Sequence, residues 1–285
     1  MKVLINLSLT LSFMLSSIVY GQDIQGIATY KTQRKMEVEL DSSHVNDAMR
    51  EQIMVMLKKQ FEREYTLEFT KDESIYKEEE KLDDPRNTMS GGMMFVTIGG
   101  GESDILYKNL AENRFANQNE MFSKQFLIKD SIASREWKLE KETKNIGQYS
   151  CFKATYTYER EPMRMRTSGT DAETDSTDEE EVEMETITVT AWYTPQIPVK
   201  NGPSSYDGLP GLILEIGDGE LSILCSKIVL NPKNGLAIKE PHKGKVVTQA
   251  AYDEIMEKKL AEMEERFESD GRRGDGNHIE IRIGG

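Results

Sequence analysis

Gly208-Leu-Pro-Gly-Leu-Ile-Leu-Glu-Ile216 is the stretch of sequence that decides the fold, because it joins a turn to a hydrophobic strand. Pro210 fixes one backbone torsion and Gly211 can adopt a positive φ, so this pair predicts a type II turn. The apolar residues after the turn alternate, as in a strand with one buried face: Leu212, Leu214 and Ile216. A second alternating strand follows the tight turn at 217–219. The pattern therefore predicts a β-hairpin.

The residues before this turn form a proline-rich approach, Ala191-Trp-Tyr-Thr-Pro-Gln-Ile-Pro-Val199, which continues through Pro203. Prolines cannot donate to a sheet ladder, so we expect the segment from Trp192 to Leu209 to wrap a sheet edge. Its aromatic residues suggest a ligand cleft, although packing against the turn is the reading that the sequence favours. The candidate ligand-binding residues are Trp192, Tyr193, Tyr206, Leu209 and Pro210.

These motifs resemble the GLPGLI family of exported proteins from Bacteroidota-type bacteria. The resemblance rests on the hexapeptide, on Trp192-Tyr-Thr194 and Gly202-Pro203 upstream, and on the strand at Cys151-Phe-Lys-Ala154. The hexapeptide consists of Gly208, Leu209, Pro210, Gly211, Leu212 and Ile213. The resemblance implies an envelope location and a β-rich fold, and it brings no catalytic residue with it. Its strand order is also similar to that of half-barrel envelope carriers, by analogy alone.

The first 21 residues have the pattern of a secretory signal, with Lys2 followed by an apolar run and Gly21 at the junction. An uncleaved membrane anchor is the alternative. No cysteine stands at the junction, and no later apolar run reaches about 20 residues, so the sequence predicts no lipid anchor and no transmembrane helix after signal removal. We expect an exported protein of the periplasm, the outer cell surface or the secreted fraction.

The mature chain divides into a β-rich domain at residues 22–230 and a C-terminal extension at 231–285. Within the domain, residues 83–102 form a glycine-rich loop and residues 159–185 an acidic, disordered hairpin tip. Helical periodicity in the extension predicts a helix at residues 249–268, followed by a flexible tail. This helix is expected to dock on the sheet, with a partner-binding arm as the alternative.

The fold class predicted is α+β. Closely spaced alternating segments indicate a curved, half-barrel-like and mainly antiparallel sheet of eight to ten strands. An apolar stripe at residues 46–61 recurs every three or four positions, which predicts an amphipathic helix inserted after the first strand. The C-terminal helix completes the architecture.

Two cysteines, Cys151 and Cys225, lie in predicted strands. In an oxidising compartment they could form a disulfide, or they could remain two buried thiols. Neither has a histidine or a second cysteine at metal-ligand or redox spacing, so the sequence predicts neither a metal site nor a thiol-redox role.

Charge excludes one class of partner. The chain carries 36 Lys and Arg against 50 Asp and Glu, a formal net charge of −14. Because nucleic-acid binding relies on clustered basic residues, DNA and RNA are not expected partners. No cofactor-binding motif is present, and the sequence favours a protein without catalytic activity.

The leading functional hypothesis is a non-catalytic envelope protein that binds an apolar molecule or a protein partner against the sheet. A cavity below the first helix would support the apolar ligand, and a filled core would oppose it. The alternative is a surface interaction or assembly protein that uses the acidic tip and the C-terminal helix. A hydrolase with two carboxylates that meet only in space ranks third.

Overall fold

The computed structural model of the protein describes residues 24–34, 62–79, 104–160 and 184–271, with side chains as far as residue 263. Several sequence predictions lie outside this part of the chain. They are the signal segment 1–21, the helix at 46–61, the glycine-rich loop 83–102, most of the acidic segment 159–185, and the tail after residue 271.

A single mixed sheet holds the twelve strands of the described residues. The strands are β1 (Gly26–Arg34), β2 (Arg63–Phe69), β3 (Glu73–Glu78), β4 (Ile105–Asn109), β5 (Arg114–Met121), β6 (Lys124–Ser131), β7 (Lys138–Ile146), β8 (Tyr149–Arg160), β9 (Glu185–Thr194), β10 (Leu212–Gly217), β11 (Leu221–Leu230) and β12 (Lys245–Val247). One helix, α1 (Gln249–Gly271), follows β12. The sheet is not closed into a barrel.

The β-rich fold and the C-terminal helix are confirmed, but the predicted strand count of eight to ten is too low. β12 contributes only three residues, too short a run to show alternation in the sequence. It pairs in parallel with β6, which makes the sheet mixed.

The sheet consists of two meanders, in which strands consecutive in the chain lie side by side. The strand order is β12-β6-β5-β4-β3-β2-β1-β11-β10-β9-β8-β7. The first meander therefore runs from β1 to β6 and the second from β7 to β11. The two meet where β1 pairs antiparallel with β11.

The main hydrophobic core lies on one side of the sheet, called here the core face. Alternating residues of the central strands point to it, including Ala28, Leu67 and Ala191, each fully buried. Residues 195–211, called here the proline-rich segment, pack over this face through Ile197, Val199 and Leu209, each about 1% exposed. Residues 195–211 stay outside the long ladders, but Trp192, Tyr193 and Thr194 of the predicted segment belong to β9 and pair with its neighbours β8 and β10. The proline-rich segment lies over the core, however, and not along a sheet edge.

The C-terminal extension covers both faces of the first meander. Ile238 packs on the outer face against Tyr107, Ala116 and Leu127. The chain then passes the edge of the sheet as β12, and α1 places Tyr252 on the core face against Phe126. Ion pairs hold the extension to the sheet, such as the one between Glu240 and Lys129 of β6 at 2.7 Å.

The turn at Pro210 differs from the predicted type II turn. The Gly211 N–H donates to the Leu209 carbonyl oxygen at 2.8 Å, a bond over two residues that defines a γ-type turn centred on Pro210. Gly211 is not among the glycines with positive φ. It is required for space, because a Cβ there would lie 2.2 Å from the Thr194 carbonyl oxygen.

The hairpin after this turn forms as predicted from β10 and β11. Gly219 at φ +98° supplies its tight turn, and Asp218 Oδ1 accepts hydrogen bonds from the N–H groups of Glu220 and Leu221. A register shift between Ile213 and Glu215 interrupts the alternation. All four apolar residues of β10 are consequently buried: Leu212, Ile213, Leu214 and Ile216.

Candidate functional site

Four aromatic side chains meet on the core face beside the proline-rich segment, and we call them the aromatic cluster: Trp137, Tyr156, Tyr158 and Tyr206. Tyr156 and Tyr158 are two positions apart on β8, so period-two alternation points both to the same face. Their ring centroids are 6.1 Å apart with near-parallel planes. Trp137, just before β7, meets Tyr156 edge-on at 4.7 Å.

Tyr206 enters the cluster from the proline-rich segment, where Arg135 holds it. The guanidinium of Arg135 lies 5.4 Å from the centre of the Tyr206 ring and donates to the Ser205 carbonyl oxygen at 3.0 Å. Trp137 Nε1 donates to the Asp207 carbonyl oxygen at 2.9 Å. Residues 135–137 and the tip of the segment thus form one hydrogen-bonded unit.

The cluster is partly open. Tyr158 is 39% exposed, and the other three rings are half-buried. Burial raises the pKa of Tyr206 well above its usual range, and the nearby Tyr156, Asp218 and Tyr158 raise it further. Burial also raises the pKa of Tyr158, followed by the charge of Asp218. The phenols of Tyr158 and Tyr206 therefore remain neutral hydroxyl groups near neutral pH.

Charged residues border the cluster where β8, β9 and the β10–β11 hairpin end. Arg160 forms ion pairs with Glu220 and with Glu185, and Asp218 lies close enough to act on Tyr158 and Tyr206. β8 ends here at Arg160, and β9 begins here at Glu185. The site thus combines aromatic surface, phenol hydroxyls and a carboxylate on one border.

Lys108 fixes the base of the site from the opposite meander. Its ammonium donates to the Tyr206 carbonyl oxygen at 2.9 Å and to the Gly202 carbonyl oxygen at 3.4 Å, and it lies 3.5 Å from Asp207 Oδ2. The side chain is only 2% exposed. Burial lowers the pKa of Lys108 to about 8, partly offset by Asp207. Because each ammonium proton has an acceptor, this lysine anchors the segment and is not an available nucleophile.

The five candidate ligand-binding residues do not come together. Tyr206 is part of the aromatic cluster, whereas Tyr193 is 6% exposed and packs against Phe152. Leu209 is buried in the core, and Pro210 is exposed at its turn.

Trp192 points to the outer face, away from Tyr193, because neighbouring residues of a strand face opposite sides. There the Lys144 ammonium lies 4.3 Å from the centre of its indole ring and pairs with Glu215 at 2.7 Å. Trp192 and Tyr193, adjacent in the sequence, therefore lie on opposite faces of the sheet.

Sequence reasoning missed Trp137, Tyr158 and Asp218 as members of one site. The spacing of Tyr156 and Tyr158, two positions apart in a strand, indicates a common face for these two rings. Their proximity to Tyr206 was not visible, because it depends on the path of the proline-rich segment over the core.

The two cysteines are free thiols, both buried. Cys151 lies in β8 and Cys225 in β11, with β9 and β10 between them in the sheet. Burial raises the pKa of Cys151, and it raises the pKa of Cys225 to about 12. Thiols with raised pKa values are poor nucleophiles. A disulfide between Cys151 and Cys225 stays a prediction.

The described residues contain no group of three His, Cys, Asp or Glu side chains placed to hold a metal ion. Among the helices of those residues, none has the length and apolarity needed to span a membrane.

Comparisons with known proteins place the chain near one family. A family model described as "Protein of unknown function (Porph_ging)", typical of Bacteroidota, matches residues 137–215. The match runs from Trp137 into β10, where it ends at residue 215, and it includes the hexapeptide. The GLPGLI designation itself stays a prediction. A search of curated protein sequences gave no match.

Solved structures give only distant likenesses. Two crystal forms of PNGF-II, in space groups C2 and P21, each match at 14% identity with a TM-score of 0.44, over 81% of this chain. This chain spans 32% of the PNGF-II length. LprF from Mycobacterium bovis matches at 7% identity with a TM-score of 0.23, over 79% of this chain and 90% of LprF. Likenesses of this size carry no argument about function.

Proposed function

We propose that this protein is a non-catalytic binding module of the cell envelope and that the aromatic cluster holds its ligand. The observation that carries the proposal is the combination of partly open aromatic rings with a rigid support beneath them. Binding sites typically join aromatic surface to a few fixed polar groups. Lys108, Arg135 and Asp207 fix the position of Tyr206 without any ligand.

The packing of the described residues beside the cluster favours this surface over an enclosed apolar site at that place. Ile197, Val199 and Leu209 already occupy the core face beside the cluster. A carrier of a wholly apolar molecule would need that volume. Of the two forms of the leading hypothesis, the protein partner is therefore better supported than the apolar molecule, and we add an amphipathic ligand as a further candidate. Location in the periplasm or on the cell surface is part of the proposal.

Intrinsic fluorescence offers a direct test, because the chain contains only two tryptophans. The variant Trp192→Phe leaves Trp137, inside the cluster, as the single indole reporter. Fractions of an envelope extract added to this variant should produce a saturable change in Trp137 emission. Native mass spectrometry of the responding mixture then gives the mass of the ligand.

Two further variants make this test specific. Trp137→Phe keeps the outer-face Trp192, whose emission should stay constant. Tyr158→Ala in the Trp192→Phe background should abolish the response. A response that survives Tyr158→Ala, or the lack of any responding fraction, would contradict the proposed site.

A further inference from the structure

The phenol hydroxyls of the aromatic cluster have unused hydrogen-bonding capacity. No hydrogen bond between the residues that the structure describes involves the hydroxyl of Tyr156, Tyr158 or Tyr206. Buried tyrosines elsewhere in the molecule are different: the Tyr30 hydroxyl donates to the Ile213 carbonyl oxygen at 2.7 Å, and the Tyr252 hydroxyl accepts from Asn119 at 2.9 Å. Partly buried phenols normally find such partners.

These hydroxyls disfavour a purely aliphatic ligand. A hydrocarbon chain laid over the cluster would remove three hydroxyls from water and give them no partner, which is unfavourable for each group. It would also desolvate Asp218 at the border. The ligand that fits must carry its own hydrogen-bonding groups.

Charge disfavours an anionic ligand. The protein's formal net charge of −14, with Asp218 and Glu220 at this border, would repel an anion. The Arg135 guanidinium already occupies one face of the Tyr206 ring, which leaves less aromatic surface for a ligand cation. A neutral ligand needs neither charge attraction nor that ring face.

We propose that the aromatic cluster binds a neutral saccharide, an inference that rests on the proposed function above. A pyranose ring has apolar C–H faces that can lie on Tyr156 and Tyr158, and hydroxyl groups at its rim. Those hydroxyls match the phenols of Tyr158 and Tyr206, which both donate and accept, and the acceptor carboxylate of Asp218. The aromatic rings can thus pack against the C–H face of the sugar, while the phenol hydroxyls and Asp218 form hydrogen bonds with the hydroxyl groups at its rim.

The test uses residues 22–285 carrying Trp192→Phe, titrated with pure oligosaccharides. The neutral probes are maltohexaose, cellohexaose, mannohexaose and chitohexaose, and the acidic probe is hexagalacturonic acid. At least one neutral probe should shift Trp137 emission saturably, whereas hexagalacturonic acid should bind at least tenfold more weakly. Isothermal titration calorimetry checks the same pairs without relying on fluorescence.

Variants then locate the binding surface. Tyr158→Ala should weaken the neutral saccharide at least tenfold, and Tyr158→Phe, which keeps the ring and removes the hydroxyl, should give an intermediate loss. Phe122→Ala is the matched control, because Phe122 is 42% exposed at the β5–β6 turn, distant along the strand order. It should leave the affinity unchanged.

The outcomes separate this inference from the proposed function. If no neutral saccharide binds but 1-N-phenylnaphthylamine binds in a Tyr158-dependent way, the binding module stands and the saccharide is wrong. If saccharide binds equally well to Tyr158→Ala, this site is wrong. If neither probes nor envelope fractions affect Trp137, both proposals fail.

Discussion

Lys108 shows how a single residue connects the two meanders. It belongs to β4, yet its partners are Gly202, Tyr206 and Asp207, up to 99 positions away in the chain. Sequence alternation could place Lys108 in a strand. It could not show that the ammonium is buried, because the acceptors come from a segment whose path over the core leaves no periodic signal.

Replacing Lys108 by methionine should destabilise the protein by about 3 kcal/mol, because Asp207 would lose its buried partner and keep only Arg135 at 3.8 Å, and the Gly202 and Tyr206 carbonyl oxygens would lose their donor. Urea denaturation at pH 7.5 measures this change. Lys129→Met is the matched control: Lys129 is 44% exposed in its ion pair with Glu240, so the loss should be below about 1 kcal/mol. Equal losses in the two variants would contradict the anchoring role of Lys108.

The same lysine should make stability depend on pH. Its pKa is about 8 in the folded protein against 10.5 for an ordinary lysine. Between these values the unfolded chain binds more protons, so the free energy of unfolding of the wild type should rise with pH relative to Lys108→Met. Urea denaturation of both proteins at pH 7.5 and pH 9.5 tests the sign. A wild-type advantage that shrinks at pH 9.5 would oppose it.

Gly211 is required by close packing and not by its backbone torsion. Gly211→Ala would place a methyl group 2.2 Å from the Thr194 carbonyl oxygen, so we expect a loss of about 3 kcal/mol or more in thermal or urea unfolding. Gly217→Ala in the same hairpin is the control. Its Cβ would have nothing nearer than 3.9 Å, and its stability should change by no more than about 0.5 kcal/mol.

At the scale of elements, α1 is predictable from the helical periodicity of its apolar residues, but the place where it docks is not. This periodicity indicates one apolar face. In the structure, the first turns of α1 contact Phe126 and Ile128 through Tyr252. Thr248 and Asp130 accept hydrogen bonds from N–H groups of the first turn. Asp130 lies on β6, so this cap is a tertiary contact that no local motif records.

Tyr252→Ala should release α1 from the sheet. The ring meets Phe126 edge-on at 5.4 Å, and its hydroxyl accepts from Asn119, so we expect a loss of about 3 kcal/mol. Limited trypsin digestion should then cut at Lys258 and Lys259 faster than in the wild type. The exposed neighbour Asp253→Ala should be cut at the wild-type rate, and equal protection of both variants would show that α1 docks by other contacts.

At the scale of the whole molecule, the sequence predicted the β-rich architecture, but it did not predict which strands distant in the chain pair with each other. The meanders follow from alternation and turns, since consecutive strands are usually neighbours. The β1–β11 junction and the parallel β12 are long-range pairings, to which local patterns are blind. The aromatic cluster is hidden from sequence for the same reason.

Removing the C-terminal extension should uncover both faces of the first meander. A chain of residues 22–230 loses β12 at the β6 edge, Ile238 on the outer face and Tyr252 on the core face. Exposed strand edges and apolar surface promote association, so this chain should form oligomers in size-exclusion chromatography with light scattering. A chain of residues 22–263 should behave like the full protein. A monomeric 22–230 chain with unchanged melting temperature would instead establish the predicted domain boundary at residue 230.

The junction between β1 and β11 also has a kinetic consequence. Gln25 and Asn231, at its end, exchange backbone and side-chain hydrogen bonds although they are 206 positions apart. Each meander can form from residues that are near one another in the chain, whereas the junction between β1 and β11 can form only after both meanders have formed. Because pairings between distant parts of the chain slow folding, the protein should reach its native state in roughly milliseconds to seconds. The pairing of β1 with β11 should be the rate-limiting step. Until then, the inner edges of both half-sheets are open to pairing with other chains, and a chaperone that shields β1 or β11 would act at the step where misassembly begins.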